Sequence, residues 1–137
     1  MANDAPLAWS AFGRLTHTAQ DFYSHSNYIE LWLARHPNGT IPNPSEIDPF
    51  DQVLINAETL RTGKVYPLEL LSLIPGLKGF VLSLLPRDSH AWMNLDSAKR
   101  GPKFAYAFQA AVKRTKFEFE KTVKDLPENL LSLFIDK

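Results

Sequence analysis

The stretch that most constrains this chain is residues 14–35, where neither proline nor glycine interrupts a run of mostly helix-forming side chains. Within it, His17, Asp21 and His25 follow one another at intervals of four residues. Because four residues advance an α-helix by about 400°, the three side chains share one helix face. Imidazole and carboxylate ligands together suit zinc or a similar first-row ion, so the spacing predicts part of a metal site. A structural network of hydrogen bonds between histidine and aspartate is the alternative that the spacing leaves open.

Two segments of the chain carry a resemblance to a known family. The string LTHTAQDFYSHSNYIEL, residues 15–31, resembles the core motif of the Het-C family, the fungal heterokaryon-incompatibility proteins and their relatives. The string SHAWMNLDS, residues 89–97, resembles a second Het-C signature, with His90 and Asp96 at the matching positions. A helix with the pattern Gly-x-x-x-His-x-x-x-Asp is also similar to zinc-dependent phospholipases C and to the single-strand-specific fungal nucleases.

The resemblance implies a phospholipase C-like helical fold and a zinc site. In the similar enzymes, the histidine and aspartate of this helix bind zinc, which maps onto His17 and Asp21 of this chain. We expect one zinc ion there, with His25 or His90 close by, and these four residues are the candidate metal ligands. The candidate catalytic residues are Asp21 and His90. His25 departs from the phospholipase pattern, in which the next histidine comes at a different interval.

Other features of the sequence argue against a complete multi-zinc hydrolase. The chain holds four histidines and no cysteine, which excludes thiolate ligands. The helix that begins KFAYAFQAAVKRT lacks the histidine and the acidic residue that the similar enzymes carry in the corresponding helix. There is also no glycine-rich phosphate loop and no Gly-x-Ser-x-Gly elbow. We therefore expect phosphoester hydrolysis to be slow or absent, and whether the chain is an enzyme stays open.

The hydrophobic periodicity predicts an all-α fold, and the length of 137 residues suits a single domain over residues 1–137. The resemblance implies that this domain is Het-C-like. The periodicity predicts a bundle of about five helices around a long central N-terminal helix, residues 5–35. Three prolines with asparagine and glycine predict a loop over residues 37–48. The other predicted helices are one that begins at Asp48 and is closed by Gly63, two short ones within residues 68–85 that separate at Pro75 and Gly76, and two over residues 102–124 and 127–134.

Charge and hydropathy suggest the partners. Residues 99–124 hold eight basic side chains and two acidic ones, so this helix could meet phosphate or an anionic membrane surface, or could simply be a solvated face. The apolar residues 68–85 predict either a buried pair of helices or an element that touches a membrane. The expected partners are a phosphoester or phospholipid and an anionic membrane surface. The sequence leaves nucleic acid open and names no protein partner.

Three functions remain compatible with the sequence. The first is a zinc-binding, Het-C-like protein of phosphoesterase ancestry, the second is a non-catalytic recognition or toxicity module that contacts a membrane or a protein, and the third is a structural histidine network alone. The N-terminal segment MANDAPLAWS has neither the basic region nor the apolar run of a secretory signal. Together with the lack of cysteine, this predicts a cytoplasmic protein, although a secreted form stays open.

Overall fold

The computed structural model describes residues 5–36 and 40–135, and within them the chain forms helices and loops without a β-strand. The all-α class predicted from the sequence is therefore confirmed for these residues. Residues 37–39 of the predicted loop lie outside them. The six α-helices of the described residues are α1 (Ala5–Ser24), α2 (Tyr28–Ala34), α3 (Gln52–Ile55), α4 (Lys78–Leu84), α5 (Lys103–Asp125) and α6 (Glu128–Ile135). Short 3-10 helices occupy Pro44–Glu46, Pro67–Leu73 and Ala98–Arg100.

The prediction of one long first helix over residues 5–35 is wrong, because the helix breaks between Ser24 and Tyr28. At the break, the carbonyl oxygens of Ser24 and His25 accept hydrogen bonds from the backbone of Leu95 and Gly63, at 2.9 and 2.6 Å. These carbonyls would otherwise accept bonds from the next helical turn. Contacts with distant loops therefore end α1, and α2 begins at Tyr28.

The core lies where α1, α2 and α5 meet the loop that precedes α3. Tyr23, Tyr28 and Ile29 are almost completely buried, and they pack with Trp32, Ile47, Leu54, Tyr106, Ala107 and Ala110. The tyrosine hydroxyls also donate hydrogen bonds to loop carbonyls: Tyr23 to Pro49 at 2.8 Å, Tyr28 to Asp48 at 2.5 Å and Tyr106 to Pro42 at 2.6 Å. These bonds satisfy polar groups that burial would otherwise leave unpaired, and they fix the loop over the helices.

The second helix is much shorter than predicted, and Asp48 does not begin it. The Asp48 carboxylate accepts a hydrogen bond from the backbone N–H of Phe50, which forms a local turn instead. Asp51 is the residue that caps α3, with its carboxylate accepting from Val53 and Leu54 at 3.0 and 3.1 Å. The chain between Asn56 and Tyr66 contains no helix.

The remaining helix predictions are confirmed. The apolar segment forms a 3-10 helix and then α4, separated by a bend at Pro75 and by Gly76, whose φ is +87°. The two C-terminal helices, α5 and α6, lie where the periodicity predicts them. α6 packs against α1 through Phe134, whose ring stacks on Trp9 with the centroids 4.4 Å apart. Of the helices in residues 5–36 and 40–135, none has both the length and the apolar character needed to cross a membrane.

Candidate functional site

His17 and Asp21 form an exposed pair on α1, as their spacing predicts. The distance from His17 Nε2 to Asp21 Oδ2 is 3.6 Å, and the two side chains are 75% and 47% exposed. Solvent screens an interaction between side chains this exposed, and it adds little to stability. The structure thus confirms that these two side chains share a helix face, and both are exposed there.

His25 belongs to a different cluster from His17, because the helix break turns its ring toward the loop of residues 85–97. The His25 and His90 rings stack with their centroids 3.9 Å apart and their planes inclined by 19°. His25 Nε2 lies 3.2 Å from Asp96 Oδ2, and the His25 side chain is only 13% exposed. We call His25, His90 and Asp96 the histidine cluster. It unites two of the predicted ligands with Asp96, a motif position that was not assigned as a ligand.

Backbone hydrogen bonds hold the histidine cluster together. Gly63 donates to the His25 carbonyl at 2.6 Å, and His90 donates to the Lys64 carbonyl at 2.8 Å. A Cβ on Gly63 would lie 2.8 Å from the His90 Cα and 3.3 Å from the His25 carbonyl oxygen. Only glycine therefore allows the three segments to approach this closely.

Burial lowers the pKa of His25 below its usual value of 6.5. The charge of Asp96 opposes this shift, while His90 adds to it and Asp21 opposes it more weakly. The Nδ1 atom of His25 is buried and has no hydrogen-bond partner among the described residues. The ring is thus neutral near pH 7, which is the form that binds a metal ion.

The histidine cluster fits two zinc ligands better than three. In tetrahedral zinc with ligand bonds near 2.0–2.2 Å, neighbouring nitrogen and oxygen ligands lie roughly 3.4 Å apart. The 3.2 Å between His25 Nε2 and Asp96 Oδ2 is close to that value. Two stacked rings, however, cannot both point a nitrogen lone pair at one ion, so His90 would have to rotate. Among the described residues, no group of three or more histidine, cysteine or acidic side chains is arranged to hold a metal.

His36, the fourth histidine, lies apart from the other three. Its ring packs on Trp32 with the centroids 4.2 Å apart, and its Nδ1 lies 3.1 Å from the Trp32 carbonyl oxygen. The ring is partly buried at the end of α2 rather than freely exposed at the surface. It provides a control position for tests of the histidine cluster.

A second feature of the surface is the apolar hairpin, residues 67–84, formed by the 3-10 helix and α4. Val81, within the hairpin, and Leu85, just after it, are buried. Large apolar side chains of the hairpin remain exposed: Leu70 at 67%, Phe80 at 65% and Leu84 at 55%, with Leu68, Leu71, Ile74 and Leu77 partly exposed. Exposed apolar surface of this kind usually marks a contact site.

The two ends of the apolar hairpin are joined by a polar network. Asp88 accepts a hydrogen bond from the Tyr66 hydroxyl at 2.9 Å and pairs with Lys64 Nζ at 3.1 Å. The bond from Lys64 and then the bond from Tyr66 lower the pKa of Asp88, and the bond to Asp88 raises the pKa of Tyr66. The backbone of Lys64 also bonds to Asp88 and His90, so the base of the hairpin is continuous with the histidine cluster.

No protein-family model, curated protein or solved structure matches this chain.

Proposed function

We propose that this protein is a non-catalytic recognition module that contacts an anionic membrane surface through the apolar hairpin. The observation that carries the proposal is the exposure of Leu70, Phe80 and Leu84 on one short segment of the chain. Since these side chains are already partly buried, covering each one would contribute about 1–2 kcal/mol. Such an element would lie in the interface between headgroups and acyl chains.

The packing of the hairpin supports a role outside the core. The partner of α4 is mainly the 3-10 helix of the same hairpin, whereas α1 and α5 pack extensively against each other. Gly76, with its φ of +87°, allows the sharp bend between the two helical segments. The hairpin is therefore a local unit that presents apolar side chains to the outside while its ends stay fixed.

The charges around the hairpin favour an anionic membrane over an apolar protein surface. Lys78 is exposed at the start of α4, and Arg87 is exposed just beyond its end. Glu69 lies inside the hairpin, but its carboxylate accepts a bond from the backbone of Tyr66. Trp92, at the edge, keeps its indole N–H bonded to the Leu82 carbonyl. Apolar side chains flanked by basic residues and tryptophan are typical of segments at a membrane interface.

The basic helix α5 is the weaker candidate for the same contact. Arg114 and Lys116 pair with Glu118 and Glu120 one turn away, and Lys103 pairs with Glu30 of α2. Lys113 donates to the carbonyl oxygens of Ser45 and Ile47. Several of the cations in this helix thus have partners within the protein, which favours a solvated and self-paired face over a phosphate-binding one.

The proposal predicts that Phe80→Asp will weaken binding to vesicles that contain phosphatidylserine by about tenfold or more, because a charge replaces an apolar anchor. Sedimentation with vesicles measures the effect. Circular dichroism confirms that the variant keeps its helices. Binding should also weaken as salt rises, because exposed charges are screened.

Phe108→Asp is the matched control, because Phe108 is a comparably exposed phenylalanine, at 53%, on α5. Its vesicle binding should equal that of the wild type. Equal binding by the wild type and Phe80→Asp, or a larger loss with Phe108→Asp, would contradict a role for the hairpin. Concentration-dependent dimerisation that Phe80→Asp abolishes, without vesicle binding, would identify a second copy of the chain as the partner instead.

The second candidate function is zinc binding at the histidine cluster, with hydrolysis remaining a prediction of the Het-C resemblance alone. Two observations favour zinc: the 3.2 Å distance between His25 and Asp96, and the neutral, buried ring of His25. Asp21, near the end of α1, is a further carboxylate whose charge acts on His25. Two ligands fall short of the three that zinc enzymes use, so we derive no catalytic step for Asp21 or His90.

Isothermal titration with zinc tests the second candidate. We expect binding by the wild-type protein and no measurable binding by His25→Ala, while His36→Ala binds as the wild type does. Loss of binding in His17→Ala but not in His25→Ala would place the ion at the exposed pair on α1. Near pH 7.5 the His25 ring is neutral, so protonation could not explain a lack of zinc binding by the wild type. That result would mean that the cluster is only a hydrogen-bonded and stacked network.

A further inference from the structure

A cleft of about 200 Å³ lies between α2, the start of α5 and the loop that follows the apolar hairpin. Its charged residues are Glu30, Arg87 and Lys103, and Trp92 and Met93 contribute part of its apolar wall. This volume is below that of pockets for drug-sized ligands, which begin near 300 Å³, so it suits a compact polar group. The histidine cluster and the exposed pair on α1 contribute none of its lining.

The charges of the cleft favour a ligand with one negative charge. Lys103 and Arg87 bring two positive charges, and Glu30, which pairs with Lys103, brings one negative charge. The sum is one net positive charge. A phosphodiester carries a single negative charge, whereas a phosphomonoester carries nearly two at pH 7. The cleft therefore matches a phosphodiester better than a free phosphate group.

Arg87 is the cation of the cleft that is available for such a ligand. Its guanidinium lies 4.1 Å from the centroid of the Trp92 ring, and the described residues offer it no carboxylate partner. A guanidinium over an indole ring is held by a cation–π contact, and its N–H groups can still donate two parallel bonds to phosphate oxygens. Trp92 is itself held in place by hydrogen bonds from its indole N–H to the carbonyl oxygens of Leu82 and Leu85, at 2.9 and 3.2 Å.

The position of the cleft identifies the kind of molecule that carries the phosphodiester. Trp92 bonds to the C-terminal end of α4, where Leu84 is exposed, so the apolar hairpin begins where the cleft ends. A phospholipid has the same arrangement, with a phosphodiester headgroup directly joined to apolar chains. We propose that this cleft binds the phosphodiester of a phospholipid headgroup, with Arg87 contacting the phosphate beside the paired Lys103 and Glu30 while the apolar hairpin enters the membrane interface. The proposal rests on the proposed membrane contact.

A titration in the absence of membranes tests the cleft separately from the hairpin. The probe is short-chain dibutyryl phosphatidylglycerol at monomeric concentrations, and the readout is the NMR signal of the Trp92 indole N–H, assigned through Trp92→Phe. We expect a saturable shift in the wild type. Arg87→Gln should weaken binding by about tenfold or more, because the phosphate loses its stacked partner. Arg14→Gln, which removes an exposed arginine of α1 that bonds to Ser10, should bind as the wild type does.

The two proposals fail in different ways. Phe80→Asp should weaken vesicle binding but keep the affinity that the Trp92 shift reports, whereas Arg87→Gln should weaken that affinity and keep part of its vesicle binding. Vesicle binding by the wild type without any Trp92 shift would overturn the cleft and leave the hairpin standing. An equal shift and equal affinity with inorganic phosphate would also overturn it, since the ligand would then be free phosphate rather than a lipid headgroup. A shift without vesicle binding would remove the hairpin proposal and, with it, the assignment to a membrane.

Discussion

Gly63 determines how closely the histidine cluster can pack. The His90 Cα would lie 2.8 Å from a Cβ at this position, and the three nearest atoms all belong to the backbone, so they cannot rotate away. The backbone N–H of Gly63 also donates a hydrogen bond to the His25 carbonyl at 2.6 Å, which helps to end α1 at its C-terminus. A methyl group here would push the loop of residues 61–64 away from His25 and His90.

We predict that Gly63→Ala will lower the free energy of unfolding by about 1–3 kcal/mol, because overpacking against backbone forces a shift. Gly13→Ala is the matched control. Gly13 lies within α1 with open space around it, so alanine there should raise stability by about 0.5–1 kcal/mol. Urea unfolding followed by circular dichroism measures both. Effects of the same sign and size would show that backbone entropy, and not the close approach, determines the result.

The residues of the candidate site were predicted to different extents. The His17–Asp21 pair follows from helical spacing alone, and the structure contains it. The Het-C resemblance led us to expect His25 or His90 close to His17 and Asp21, whereas the structure stacks His90 on His25. Asp96 was not assigned as a ligand, since no local rule says which carboxylate of a loop will face a distant histidine. The stacking of the two rings has no sequence signal either.

At the scale of an element, rules that act within one helical turn predict some ends of the helices and miss others. The bend at Pro75 and Gly76 was predicted because proline removes a backbone donor and its ring clashes with the preceding turn. Both effects act within one helical turn. The break after Ser24 was missed because it depends on bonds from Gly63 and Leu95, which are distant in sequence. The segment from Asp48 was misread for a related reason. Asp48 can cap a helix or close a turn, and the buried tyrosine hydroxyls that bond to this loop favour the turn.

At the scale of the whole molecule, the loops of residues 61–64 and 85–97 connect the helical core to the candidate sites. The loop of residues 85–97 contributes His90 and Asp96 to the histidine cluster and Arg87 and Trp92 to the cleft. Lys64 bonds to this loop twice, and Gly63 beside it bonds to His25. A change in the protonation of His25 therefore acts on contacts that hold the base of the apolar hairpin, and it should be visible in global stability.

The pH dependence of folding follows from the lowered pKa of His25, which burial causes. Between that lowered pKa and 6.5, the unfolded chain binds a proton that the folded chain does not, so stability rises with pH. The contribution of the neutral His25 ring to the free energy of unfolding is fully present above about pH 6.5. It is lost as the pH falls toward the pKa of His25 in the folded state. The groups that face the ring are Asp96, His90 and Asp21, and the two carboxylates only reduce the effect.

We predict that urea unfolding with a chelator present will show a smaller decrease in stability between about pH 7 and pH 5 for His25→Gln than for the wild type. Glutamine removes the titrating ring, so the difference between the two curves isolates its contribution. His17→Gln is the control, because His17 is 75% exposed and lies outside the histidine cluster, and its curve should parallel that of the wild type. Parallel curves for the wild type and His25→Gln would mean that His25 is solvated in the folded protein, which would contradict the buried cluster and remove the coupling between it and the base of the hairpin.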